Sequence, residues 1–214
     1  MNSQLQRISS NYVRDTGTRF ALDHGGVTTV IAARQWPVKA ASKVANVGGN
    51  VFFAAKNVYE FLTPFDNAAA DGDIVTKYSA GIVGSEQFFL YLLNEHEVSE
   101  AESHKKFFSV RINVTGLSFT RKSEAAGEAG GITNAMVAVA GATSVLGHFW
   151  EGSEGINFSG DLKTEKFAGS LVIQKSYGIE VQDQFSVNSK NYEILGFDNL
   201  AIDGLVVCAV GRVK

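Results

Sequence analysis

The residues able to do chemistry are few and scattered. Four histidines, His24, His96, His104 and His148, are spread along the chain with a single cysteine, Cys208. A metal centre needs several His, Cys or carboxylate groups converging on one point. Only "EHEVSEAESH" gathers such residues, and its spacing puts His96 and His104 on no common helical face. It reads as an exposed charged loop. "DGD" at 71–73 lacks the spaced oxygen ligands and closing Glu of a calcium loop, so it reads as a turn ahead of a strand. Glu86, Glu95, Glu97 and Glu151 are candidates for paired-carboxylate hydrolysis. All four sit in solvated segments rather than in an apolar pocket that would raise one of them to a general acid. No phosphate-cradling glycine loop, zinc-protease helix or nucleophile elbow occurs. Cys208 lies in the apolar run "LVVCAV" and is expected to pack as a small hydrophobe. The expectation is therefore of no enzyme, with no catalytic, cofactor-binding or metal residues and no cofactor.

These sparse groups sit in a chain of 214 residues, 45% hydrophobic and 19% charged, with a net charge of −3. Those proportions are globular, and the absence of a basic stripe argues against classical nucleic-acid binding. One cysteine rules out a disulfide within the chain. No apolar run reaches signal-peptide or membrane-spanning length, so a soluble protein made in a cytoplasm is expected. The 22 glycines, 15 phenylalanines and only 2 prolines favour β structure over helical bundles.

The elements follow from turn chemistry. Residues 3–14 read as a short helix capped by Ser3, with Leu5, Ile8, Tyr12 and Val13 on one face, ended by Gly17. "RFALDHGGVTTVIAARQWPV" reads as a hairpin about Gly25-Gly26. "EQFFLYLL" admits a helix capped by Ser85, but its β-type and aromatic content favours a buried strand, and "FFSVRINVTGLSFTRK" reads as a strand pair or one strand kinked at Gly116. "FSVNSKNYEIL" reads as a hairpin turning at 188–191, with Phe185, Val187, Tyr192 and Ile194 facing inward. "SEAAGEAGG", which has nothing to bury, reads as a linker. The expected fold class is mainly β, in small barrel or sandwich modules with one or two short helices. The expected domains are 1–122, an N-terminal helix plus β module; 123–145, a flexible or partner-ordered loop; and 146–214, a C-terminal β module.

One pattern occurs twice. "DGDIVTKYSAGIVGSEQFFLYLL…FFSVRINVTGLSFTRK" and "SLVIQKSYGIEVQDQFSVNSKNYEILGFDNLAIDGLVVCAVGR" each launch a strand from an acidic turn. Each returns on an aromatic-rich strand and ends an apolar strand at an Arg. The second copy resembles the C-terminal half of head–tail joining proteins of the phage lambda type, through Asp183, Tyr192 and Arg212. Gln182 stands where that family prefers Gly. The first keeps Gly72-Asp73, and its last strand carries Asn113 and Arg121, similar to phage minor structural proteins. The resemblance implies a virion structural protein of the tailed-phage neck, of the joining, stopper or adaptor type. It would form a ring that joins the portal to the tail and lines the DNA channel. The implied partners are further copies of the chain, a portal or adaptor protein, a tail or tail-terminator protein, and genomic DNA passing non-specifically. No membrane is implied, and the implied location is the virion. The alternatives are a tail-tube or tail-terminator protein of the same virion, or a small β-fold hydrolase or carbohydrate-binding domain using Trp36 and Trp150 as platforms.

Overall fold

Alternating apolar residues and glycine turns produce a mainly β protein. The computed structural model describes residues 11–37, 58–64, 66–79, 82–91, 104–126, 132–152, 167–198 and 204–213. It divides into two compact units, Met1–Ile112 with Ala201–Gly204, and Asn113–Leu200 with Leu205–Lys214.

The first unit is a closed barrel of six antiparallel strands, β1 (Thr18–His24), β2 (Val27–Pro37), β3 (Val58–Pro64), β4 (Ile74–Ser79), β5 (Ile82–Tyr91) and β6 (His104–Arg111), in the order β1-β2-β3-β6-β5-β4. Gly25 and Gly26, at φ 57° and 81°, supply the two positive-φ residues of a tight turn whose twist matches the flanking strands. The inside is filled by Phe20, Leu22, Ile31, Ala33, Phe61, Val75, Phe88, Leu90 and Phe107. Phe20 and Phe61 meet edge to face at 5.1 Å. Each fully buried Phe contributes about 1.5–3 kcal/mol of apolar burial. Residues 88–91 are buried on both faces of β5, as the unbroken apolar run requires. Ahead of the barrel, residues 11–16 are helical, and the Gly17 N–H closes the helix on the Val13 carbonyl at 2.8 Å. Ser3, Leu5 and Ile8 lie outside the described residues.

The second unit is a curled eight-stranded half-barrel of β7 (Val114–Leu117), β8 (Thr120–Ala126), β9 (Ile132–Ala138), β10 (Val145–Glu151), β11 (Phe167–Gln174), β12 (Gln184–Val187), β13 (Lys190–Asp198) and β14 (Leu205–Arg212). Its order is β7-β10-β11-β14-β13-β12-β8-β9. The β12–β13 turn is tighter than the sequence suggested. Asn188 and Ser189 alone take positive φ, 50° and 62°, and Lys190 and Asn191 already pair with Val187 and Ser186. Phe185 and Tyr192 stack at 5.6 Å in a core with Phe119, Phe149, Leu171, Ile194, Cys208 and Val210.

Two expectations meet a different structure here. Within 123–145, read as a loop, β8 and β9 pair from Thr120↔Ala138 to Ala126↔Ile132, and Val145 opens β10. Small side chains have little to bury, yet backbone hydrogen bonds between the two strands hold the hairpin. "FFSVRINVTGLSFTRK" is not one strand or a pair. It contributes to β6, β7 and β8, and it crosses from one unit to the other between Ile112 and Asn113.

The two sheets share one wiring. β1 meets β4 at Asp23↔Ile74, as β8 meets β12 at Thr120↔Gln184. β2 meets β3 at Trp36↔Glu60, as β10 meets β11 at Trp150↔Ser170. β5 meets β6 at Phe89↔Val110, as β13 meets β14 at Glu193↔Gly211. Phe20↔Ile31 in the first hairpin matches Leu117↔Val145 between β7 and β10. The second unit is therefore the first unit's module with its β1–β2 hairpin broken. β7 and β8 divide the role of β1, and β9 and β10 divide that of β2. At the break Phe119, Val139 and Ala142 turn into the core. The Phe119 N–H reaches the Ala142 carbonyl at 3.1 Å, and the Val139 N–H reaches the Phe119 carbonyl at 2.9 Å.

Candidate functional site

Matching registers bring two acidic turns to the same place in the two modules. In the first, the Gly72 N–H donates to the Leu90 carbonyl at 2.9 Å and the Leu90 N–H returns to the Asp73 carbonyl at 2.8 Å. In the second, the Gln182 N–H donates to the Ile194 carbonyl at 2.8 Å and the Ile194 N–H returns to the Asp183 carbonyl at 2.9 Å. Each Asp side chain also ties its own turn. Asp73 Oδ2 accepts the Ala70 N–H at 2.8 Å, and Asp183 Oδ2 accepts the Glu180 N–H at 2.7 Å. The residue before each Asp takes positive φ, 81° at Gly72 and 74° at Gln182.

A buried carboxylate needs a partner, and each module supplies one from the same strand position. Asp183 is fully buried and takes a two-pronged grip from Arg121, Nε at 2.7 Å and Nη2 at 2.8 Å. Arg121 also reaches the Gly178 carbonyl at 3.0 Å and Glu180 at 2.8 Å. Its bonds to Asp183 push the guanidinium further toward the protonated form. Asp73, 8% exposed, is held by His24, whose Nδ1 lies 3.0 Å from both carboxylate oxygens. Burial pushes the Asp73 carboxyl up, against the lowering effect of its bonds to Ala70 and His24. Lys105 caps the Asn67 and Ala69 carbonyls at 2.7 and 3.1 Å, and burial pulls its ammonium down.

The remaining sequence-predicted positions belong to the second unit. Asn113 does not finish a first-copy strand. Its side chain receives the Phe149 N–H at 2.8 Å and donates to the Phe149 carbonyl at 2.7 Å, extending the β7–β10 ladder. Arg121 likewise serves Asp183 and not Asp73, because the chain has already left the first unit by Asn113. Tyr192 stands opposite Arg212, the exposed last residue of β14, and its hydroxyl donates to Glu151. Lys190 reaches the same Glu151 oxygen at 2.8 Å. That ion pair, then the Tyr192 hydroxyl, draws the Glu151 carboxyl down. The ion-pair roles of His24, weighed only as a metal ligand, of Glu151, weighed only for hydrolysis, and of Glu180 escaped the sequence reading because their partners are distant in the chain. The cue was that two turn aspartates, each next to a buried strand, demand cations from elsewhere.

Glu86, weighed for hydrolysis, pairs with Arg111 at 3.3 Å and Lys77 at 4.0 Å on the barrel surface. His96, Glu95 and Glu97 lie outside the described residues. Among the described residues no group of three or more His, Cys, Asp or Glu side chains could hold a metal ion.

The modules differ most at the hairpin tip. In the first, β1 ends at the clamp residue His24 and turns at once. In the second, β8 runs beyond the equivalent Arg121 to Ala126, and β9 returns from Ile132. β9, "ITNAMVA", carries no charge and no proline, and Ala135–Ala138 are exposed, with Met136 and Val137 each 44% accessible. Its outer edge has no strand partner among the described residues. Edges of this kind are usually protected by charge, proline or a covering element.

Comparison with protein families, curated proteins and solved structures finds no match.

Proposed function

We propose that this chain is a structural subunit of a tailed-phage neck, forming a ring that joins the capsid portal to the tail around the DNA channel. The observation that carries the reading is the β8–β9 arm: one of two matching modules extends a hairpin whose outer strand, β9, carries no charge and has no strand partner on its outer edge among the described residues. Such an edge bonds a neighbour by strand addition, with backbone hydrogen bonds giving affinity and alternate side chains giving specificity. The acidic turn repeated at Asp73 and Asp183, with Tyr192 on the returning strand, supports the resemblance to neck modules. The carbohydrate-binding alternative draws less support. Trp36, one of its two platforms, is half-buried and donates its indole N–H to Glu60 at 2.9 Å.

The test is quantitative mass spectrometry of gradient-purified phage particles whose genome encodes the chain, with the double variant M136K/V137E alongside. A neck subunit is present at one or two rings' worth of copies, and the variant folds but is missing from particles. Copies in the hundreds would place it in the tail tube instead. Absence of the wild-type chain from virions would refute the proposal.

A further inference from the structure

The two acidic turns are alike in backbone, in the self-bond of the Asp and in the strand position of the clamp, and unlike in one respect. The second module's clamp is a guanidinium, which stays charged at every pH a protein meets. The first module's clamp is an imidazole, which in water gains or loses its charge near pH 6.5. Register makes the two residues counterparts: Asp23↔Ile74 and Thr120↔Gln184 place His24 and Arg121 one residue further along equivalent strands. Both point at the carboxylate that closes the turn.

We propose that the first module's turn is a pH-dependent clamp, tight while His24 carries its proton and looser once it is lost, whereas the Arg121 clamp of the second module stays shut throughout. The charged groups around Asp73 define how far it can loosen. His24 on β1 is its direct partner. Asp23 on the same strand opposes its ionisation, and Lys105 on β6 is a weaker, more distant cation already committed to two carbonyls. Neutral His24 can still donate one hydrogen bond, so the turn is weakened rather than released. The sign follows from linkage. Folding raises the Asp73 carboxyl, so this group favours the fold most when protonated and costs stability once ionised. Protonated His24 offsets that cost above the carboxylate range. The offset disappears when the imidazole gives up its proton.

The molecule carries its own control, because the Leu90 and Ile194 amides close the two turns in the same way. Amide hydrogen exchange is followed on the whole chain between about pH 5.5 and 8, corrected for the intrinsic pH dependence of exchange. Leu90 protection is expected to fall by about fivefold to tenfold, the scale on which a charge-assisted hydrogen bond exceeds a neutral one, while Ile194 protection holds. H24R should flatten the Leu90 profile, and R121H should transfer the fall to Ile194. Parallel profiles for the two amides in the wild-type chain would overturn the proposal. So would a Leu90 fall that persists in H24R.

Discussion

Gln182 occupies the backbone position that Gly72 occupies in the other module, with φ 74° against 81° and the same N–H to carbonyl bond across the turn. A side chain in this region costs about 1–2 kcal/mol, while glycine costs part of that back through the entropy of the unfolded chain. Gln182→Gly is therefore expected to stabilise the protein by about 0.5–1 kcal/mol, read as a higher urea midpoint with unchanged slope. An unchanged or lower midpoint would show that the Gln182 side chain contributes more than its backbone costs. Gly72→Ala should do the opposite and more. Its new Cβ would come within 2.8 Å of the Gly204 Cα, backbone that cannot step aside like a side chain. A loss above about 2 kcal/mol is expected from strain and overpacking together.

The Arg121 clamp gives a second prediction. Removing one partner of a buried pair leaves an uncompensated charge, at a cost of about 3–5 kcal/mol. Arg121→Ala leaves the fully buried Asp183 carboxylate with the Glu180 amide as its one remaining partner among the described residues. Because the guanidinium is itself 34% exposed, water can partly replace it, and the lower end, about 3 kcal/mol, is expected. The second substitution Asp183→Asn should recover part of the loss by removing the charge. No recovery in the denaturation midpoint of the double variant would mean that packing of the Arg121 stem, not charge, dominates.

The limits of sequence reading have the same physical origin. Gly25-Gly26 was legible because a tight hairpin writes its requirements into two adjacent residues, whereas the β12–β13 turn was legible as a hairpin but read over 188–191 instead of Asn188-Ser189 alone. Residues 88–91 were legible as a strand because both faces are buried and the run is wholly apolar. The β8–β9 arm was not, because "SEAAGEAGG" shows neither apolar alternation nor bulk, and beyond Arg121 its strands are held by backbone pairing. The repeat was visible at Asp73 and Asp183, but its boundaries slipped. The second module's first hairpin is broken at Phe119 and at 139–144, so no continuous stretch matches β1 and β2. The clamps were invisible because His24 and Arg121 meet their carboxylates only through sheet register.

Cys208 offers a clean reporter of the second unit. It is fully buried on β14, and burial pushes its thiol up, doubly disfavouring the reactive thiolate. A thiol reagent at neutral pH is expected to modify none of it in the folded protein and one equivalent in denaturant. In intermediate urea the labelling rate should track opening of the β11–β14–β13 core. Rapid labelling without denaturant would contradict the buried position of this strand.

Tyr192 makes the last prediction through its bond to Glu151. Burial, followed by the bond to the Glu151 carboxylate, raises the phenol to about 12. Folding thus disfavours the phenolate. The contribution is complete below the unfolded tyrosine value of about 10, and it is lost as pH rises from there through the folded value. Absorbance titration near the phenolate band should show a late step near that value, which Tyr192→Phe deletes. Glu151→Gln removes the carboxylate but keeps an acceptor, so it should move the late step down without abolishing it. Lys190 should then lose its ion pair, leaving the hairpin intact because Val187↔Lys190 pairing is backbone. If Tyr192→Phe leaves that late step unchanged and removes absorbance near the ordinary tyrosine value instead, the Tyr192 hydroxyl does not engage Glu151 in solution, and Lys190 holds Glu151 without it.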